Sequence, residues 1–167
     1  MIKTLVMAGT MLALSAVSAT AGPGDDPTTA VKGETVAAAI ARLGYSTSMH
    51  KDAEGEPHIV IRDKPDNVNK MAVFFSDCGN WGCEDITFYA GYTPSRNATM
   101  EMMNEWNHIG ANLRSRASIS GNGSTPNGEP SISMTVSLMS DSDIDKIAWL
   151  AGLFVVETQM FASSLGK

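Results

Sequence analysis

Two alternating stretches, Leu113 to Ile119 and Ser131 to Leu138, constrain what this chain can fold into more than any other feature. In the first, Leu113, Ser115, Ala117 and Ile119 point one way from Arg114, Arg116 and Ser118. In the second, Ile132, Met134, Val136 and Leu138 oppose Ser131, Ser133, Thr135 and Ser137. A period of two with one apolar side is the pattern of a strand buried on one face and wet on the other. The turn formers from Gly121 to Gly128 lie between the two stretches, which predicts antiparallel pairing.

The remaining elements follow from local periodicity. Val36, Ala39, Ile40 and Leu43 recur at helical spacing and Gly44 stops them, giving a first helix over Glu34 to Leu43. Tyr45 to Lys51 and His58 to Arg62 read as strands around the turn-rich link Asp52 to Pro57. Met71 to Asp77 and Asp85 to Tyr92, rich in Val, Phe, Ile and Tyr, form a second hairpin ended by Pro94. Ala98 to Ile109 returns to helical spacing, with Thr99 as its N-cap and Met102, Trp106 and Ile109 on one stripe beside Met103. Asp141 to Leu165 supports a long helix with Ile144, Ile147, Ala148, Ala151, Val155, Thr158, Ala162 and Leu165 on one face. The order αββββαββα belongs to the α+β class, an antiparallel sheet with helices on one face.

The length, 167 residues, fits one domain. Residues 1–21 read as a secretory signal: Lys3 supplies a positive start, Leu5 to Val17 an uncharged and mainly apolar core, and Ala19-Thr20-Ala21 small residues for cleavage. That core falls short of the roughly 20 residues a spanning helix needs. Cleavage after Ala21 leaves residues 22–29, with Pro23, Gly24, Asp25, Asp26 and Pro27, as a flexible lead-in, and residues 30–167 as the domain. Gly22 offers no cysteine for lipidation, so the expectation is release into the periplasm, with export to the medium the alternative. The longest later apolar run, Ile147 to Val156, is followed by Glu157, which argues against a membrane location once the signal is gone.

Charge narrows the partners. Twelve basic residues stand against eighteen acidic ones, a formal net charge of −6, and such a surface repels nucleic acid and anionic lipid. Arg114 and Arg116 are the only close basic pair, too little for a phosphate-binding patch.

Residues that carry chemistry are scarce. Cys78 and Cys83, the only cysteines, flank Gly79-Asn80-Trp81-Gly82, so an oxidising compartment predicts a disulfide across a hairpin tip. A redox role is the sharper alternative, but the spacing is not the two-residue one of thioredoxin-like sites. His50, His58 and His108 lack metal-ligand spacing, although His50 and His58 can face each other across the first hairpin. Met100, Met102 and Met103 invite a copper reading, yet a helical methionine stripe more often serves as adaptable core. Asp141-Ser142-Asp143-Ile144-Asp145 opens like a calcium loop, but Lys146 stands where glycine is needed and Gly152 where glutamate is needed. Helix capping by Ser140 or Asp141, with Asp143 and Asp145 at the positive dipole end, accounts for that run better. No nucleophile elbow, zinc-protease helix or phosphate loop occurs, so the expectation is a protein that is not an enzyme and holds no cofactor or metal.

Met103-Asn104-Glu105-Trp106-Asn107 places two amides and a tryptophan near the end of a short helix flanked by strands. On this segment and its setting the chain resembles the YbjN domain family, described as candidate bacterial sensory transduction regulators. The resemblance spans about Glu34 to Leu165 and implies a fold like that of type III secretion chaperones, with no chemistry to carry over. The signal sequence and cysteine pair set this chain apart from the family's cytoplasmic members.

Asn104, Trp106 and Asn107 admit two readings. Either Trp106 anchors the helix on the sheet while the amides satisfy backbone groups, or Asn104 and Asn107 border a peptide groove beside the aromatic, with all three as candidate partner contacts. The last helix adds Trp149, Leu150, Leu153, Val156 and Met160 to its core stripe, more apolar surface than one sheet face covers. The expected function is a chaperone-like or regulatory protein-binding domain that meets a client or a second copy of itself, with Trp149, Leu153, Val156 and Met160 as contacts. A periplasmic small-ligand or metal-handling module is the alternative.

Overall fold

The computed structural model describes residues 22–109, 113–120 and 128–166; the expected signal at residues 1–21 and most of the Gly121 to Gly128 loop lie outside them. The elements run α1 (Gly33–Ala41), β1 (Thr47–Lys51), β2 (Pro57–Ile61), β3 (Val68–Cys78), β4 (Cys83–Tyr92), α2 (Met100–Ile109), β5 (Arg116–Ser120), β6 (Glu129–Ser137), a 3-10 turn (Asp141–Asp143) and α3 (Ile144–Leu165). This is the α+β order read from the sequence. The six strands form one antiparallel sheet, ordered β1-β2-β3-β4-β6-β5.

One sheet face carries the core. Ile59, Met71, Val73, Phe75, Ile86, Phe88, Ala90, Tyr92, Ile132 and Met134 are buried against the helices. The other face bears mixed polar and aromatic side chains. There Phe74 stands edge-on to Tyr89 with ring centroids 5.9 Å apart, and the Lys70 ammonium lies 4.9 Å from the Phe74 ring.

Helix α3 crosses the middle of the sheet. Phe154 meets Phe88 at 5.7 Å between ring centroids, and Phe161 packs on Tyr92 at 5.1 Å and on Trp106 at 4.9 Å. The Tyr92 hydroxyl donates to the Thr158 carbonyl at 3.0 Å, and burial pushes its pKa well up. Phe154, Glu157 and Phe161 are buried too, although they lie outside the face that the apolar spacing predicts for this helix. Its buried sector is wider than one stripe because the sheet lies on one side and α1 on another.

By length and hydropathy alone, the 25 residues from Asp141 to Leu165 suffice to cross a membrane. A count of uninterrupted apolar residues stops at Val156 and misses this. In the fold, Phe154, Glu157 and Phe161 of that helix pack on the sheet side instead.

Three local departures have physical causes. Strand β3 starts at Val68, earlier than its apolar run, because Asn69 and Lys70 sit at a bulge opposite β4. Strand β5 starts at Arg116 rather than Leu113, because the backbone N–H groups of Arg114 and Ser115 turn toward Glu157. Residues 22–29, whose composition suggests a flexible lead-in, lie along the β3–β4 hairpin tip instead, and Val31 follows them there. Trp81 N–H donates to the Gly24 carbonyl, Asp25 accepts from Asn80, and Val31 exchanges two backbone bonds with Cys83. The close approach requires glycine: a Cβ on Gly79 would fall 2.5 Å from the Pro23 carbonyl oxygen, and one on Gly82, at φ +146°, 2.5 Å from that of Val31.

Candidate functional site

The residues singled out from the sequence separate into structural and exposed groups. Thr99 Oγ1 accepts from Met102 N–H at 3.1 Å and starts α2 as expected. Met103, rather than Met102, is the deepest methionine of that helix, and Trp106 is only 7% exposed. Trp106 stands edge-on to Phe161 inside the core, in the anchoring position rather than at a partner contact.

Asn107 is also committed internally. Its side-chain nitrogen donates to the Ala117 carbonyl at 2.9 Å, and its side-chain oxygen accepts from Ala117 N–H at 2.7 Å. The amide thus bonds the outer edge of β5 as a neighbouring strand would. The amide does satisfy backbone groups, but they belong to the sheet rather than to the end of its own helix. Asn104 is exposed.

On α3 the four contact candidates share one side. Trp149, Val156 and Met160 are 59%, 51% and 48% exposed, and Leu153 is partly covered. Their spacing of four, three and four residues keeps them on one stripe pointing away from Phe154 and Phe161. Leu43, exposed beyond the end of α1, lies near Gly152 at the edge of this stripe.

Cys78 and Cys83 face each other at the β3–β4 tip and form a disulfide. The pair sits directly opposite on adjacent strands, with Cα atoms 3.9 Å apart, below the usual range of about 4.4–6.8 Å. The residues weighed for metal do not converge as a set. The His50 and His58 rings stack at 5.3 Å across β1 and β2, whereas His108 is exposed on α2. Met103 is buried while Met100 is 54% exposed.

Asp141 does not cap its own helix. Its carboxylate accepts from Lys32 N–H at 3.0 Å and Thr35 Oγ1 at 2.5 Å, tying α1 to the start of α3. Partial burial works the other way, but these bonds and the Lys32 ammonium hold its pKa below the usual carboxylate value. Asp143 instead accepts from the Ser140 N–H and hydroxyl, both at 2.9 Å, and these bonds depress its pKa too.

The sequence offered no signal for the most deeply placed carboxylate. Glu157 is 1% exposed, and it accepts from Arg114 N–H at 3.0 Å and Ser115 N–H at 2.8 Å. Both donors precede β5 in the chain, more than forty residues away.

These features define an α+β domain with a one-sided core, a disulfide-closed hairpin and an apolar stripe on its last helix. Comparison with protein-family models and with curated proteins gives no match. Among solved structures the chain is similar to the crystal structure of YbjN, a candidate transcription regulator from E. coli. The two are 16% identical over 78% of this chain and 84% of that one, with a TM-score of 0.48.

Proposed function

We propose that this chain is a non-enzymatic protein-binding domain of the periplasm, chaperone-like or regulatory, exported by a signal cleaved after Ala21. The observation that carries this reading is the stripe Trp149, Leu153, Val156 and Met160. Three large apolar side chains about half exposed on one helix face form a patch that a partner would dry. The occupant is a client protein or a second copy of this chain. The Cys78–Cys83 disulfide is compatible with an oxidising compartment. The motif resemblance to the YbjN domain family agrees with a regulatory role.

Crosslinking and co-purification of the mature protein from its native periplasm test the reading, alongside the double variant Val156→Glu/Met160→Glu. The expected result is a crosslinked species that falls at least tenfold in the variant while thermal unfolding stays unchanged. A monomer without any client in the wild type would sink the proposal.

A further inference from the structure

Pairing between β5 and β6 stops at Arg116 opposite Ser133, although β6 continues to Ser137 with β4 on its other side. The cause is Glu157, which takes the N–H groups of Arg114 and Ser115 and draws that stretch off the ladder toward α3. Among the described residues, no strand pairs with the outer edge of residues 134–137. A groove of about 430 Å³ lies there, between the β6 edge and the first turns of α3.

The lining of the groove is selective. Leu113 and Val136 are apolar, and Trp149 forms a wall with the Arg114 guanidinium 5.6 Å from its ring. Arg114, Arg116 and Lys146 all line it, and among the described residues no acidic side chain does. Three cations thus gather at one groove in a chain of net charge −6. Charged side chains at an open edge discourage indiscriminate strand pairing, and an all-cationic set admits acidic partners.

We propose that this groove docks an extended acidic segment of a partner protein by strand addition to β6. The inference rests on the protein-binding reading above and names the partner's chemistry. Four residues of edge, at about 3.4 Å each, accommodate a short strand. The segment's main chain pairs with residues 134–137, and its alternate side chains divide between two environments. Apolar ones meet Leu113 and Trp149, and carboxylates meet Arg114 and Lys146.

The test titrates the disulfide-intact protein with a fluorescent ten-residue peptide alternating valine and glutamate, followed by polarisation and amide hydrogen exchange. Two controls accompany it: a valine–lysine peptide, and the valine–glutamate peptide N-methylated at alternate backbone nitrogens, which keeps the side chains but removes strand pairing. The expected result is saturable binding of the acidic peptide with slowed exchange at residues 134–137. Binding should weaken at least tenfold with either control and with the surface variant Arg114→Glu/Lys146→Glu. The proposal is overturned by no binding, by equal binding of either control, or by protection elsewhere. It is equally overturned if raising the protein concentration alone protects residues 134–137, which would make a second copy the occupant. Val156→Glu/Met160→Glu leaves the groove cations in place. Loss of peptide binding with persistence of stripe-dependent crosslinking therefore removes this proposal and leaves the broader reading standing.

Discussion

Glu157 Oε2 accepts the backbone N–H of Ser115 at 2.8 Å, with the carboxylate 1% exposed in the middle of α3. A buried carboxylate here performs the work of a strand: it satisfies two main-chain donors at the point where β5 leaves its ladder. Substitution Glu157→Leu strands both donors in an apolar setting and should cost about 2–5 kcal/mol, whereas Glu157→Gln, which keeps one acceptor oxygen, should cost less. Urea unfolding measures both, and a Glu157→Leu change under about 0.5 kcal/mol would refute the role.

Trp106→Ala should destabilise by about 3–5 kcal/mol, because the indole fills core space against Phe161. Asn104→Ala, at an exposed position, should change stability by less than about 0.5 kcal/mol. Comparable effects from the two would contradict the placement of the helix.

Asn107→Asp retains an acceptor for Ala117 N–H but sets a carboxylate against the Ala117 carbonyl, so β5 should fray. Amide exchange at Ala117 should accelerate in Asn107→Asp and more in Asn107→Ala. Unchanged exchange in both would mean that the amide is not a fastening of that edge.

Removal of the disulfide by Cys78→Ser/Cys83→Ser should lower stability by about 2 kcal/mol, the entropy of closing so short a loop, without altering the fold. Circular dichroism and denaturant unfolding report the two quantities separately. Loss of the folded spectrum would assign the bond a larger part than closing one hairpin.

Asp141 makes stability pH-dependent at the acid end. Its pKa is lowered in the folded chain, so the contribution is full above the unfolded value of about 3.9 and disappears as pH falls through the folded value. With the carboxylate 41% exposed, solvent screening limits the effect to about 1 kcal/mol at neutral pH. Asp141→Asn should remove that increment at pH 7 and show a smaller difference from wild type near pH 2. An identical difference at both pH values would exclude the carboxylate's charge as the cause.

How much was legible in the sequence depended on how far apart the interacting residues lie. Alternation at Ala117 to Ile119 and Ile132 to Val136 records which side of a strand is apolar, and helical spacing at Val36, Ala39 and Ile40 does the same for α1. These are properties of a few neighbouring residues, so element order and class followed from them. Cys78 and Cys83 belong here too, because glycines between two strand-like runs place them opposite each other.

What the sequence by itself determined, then, is the α+β succession, its turns and the excess of apolar surface on the last helix. Only the tertiary structure decided that Trp106 is core, that Asn107 bonds β5, that Asp141 fastens α1, and that Glu157 interrupts the ladder and opens the edge of β6. The physical reason is that a polar side chain carries no local mark of its partner. An amide or carboxylate reads as solvent-exposed until the fold brings buried main-chain donors within reach, and those donors lie 10 residues away for Asn107 and 42 for Glu157.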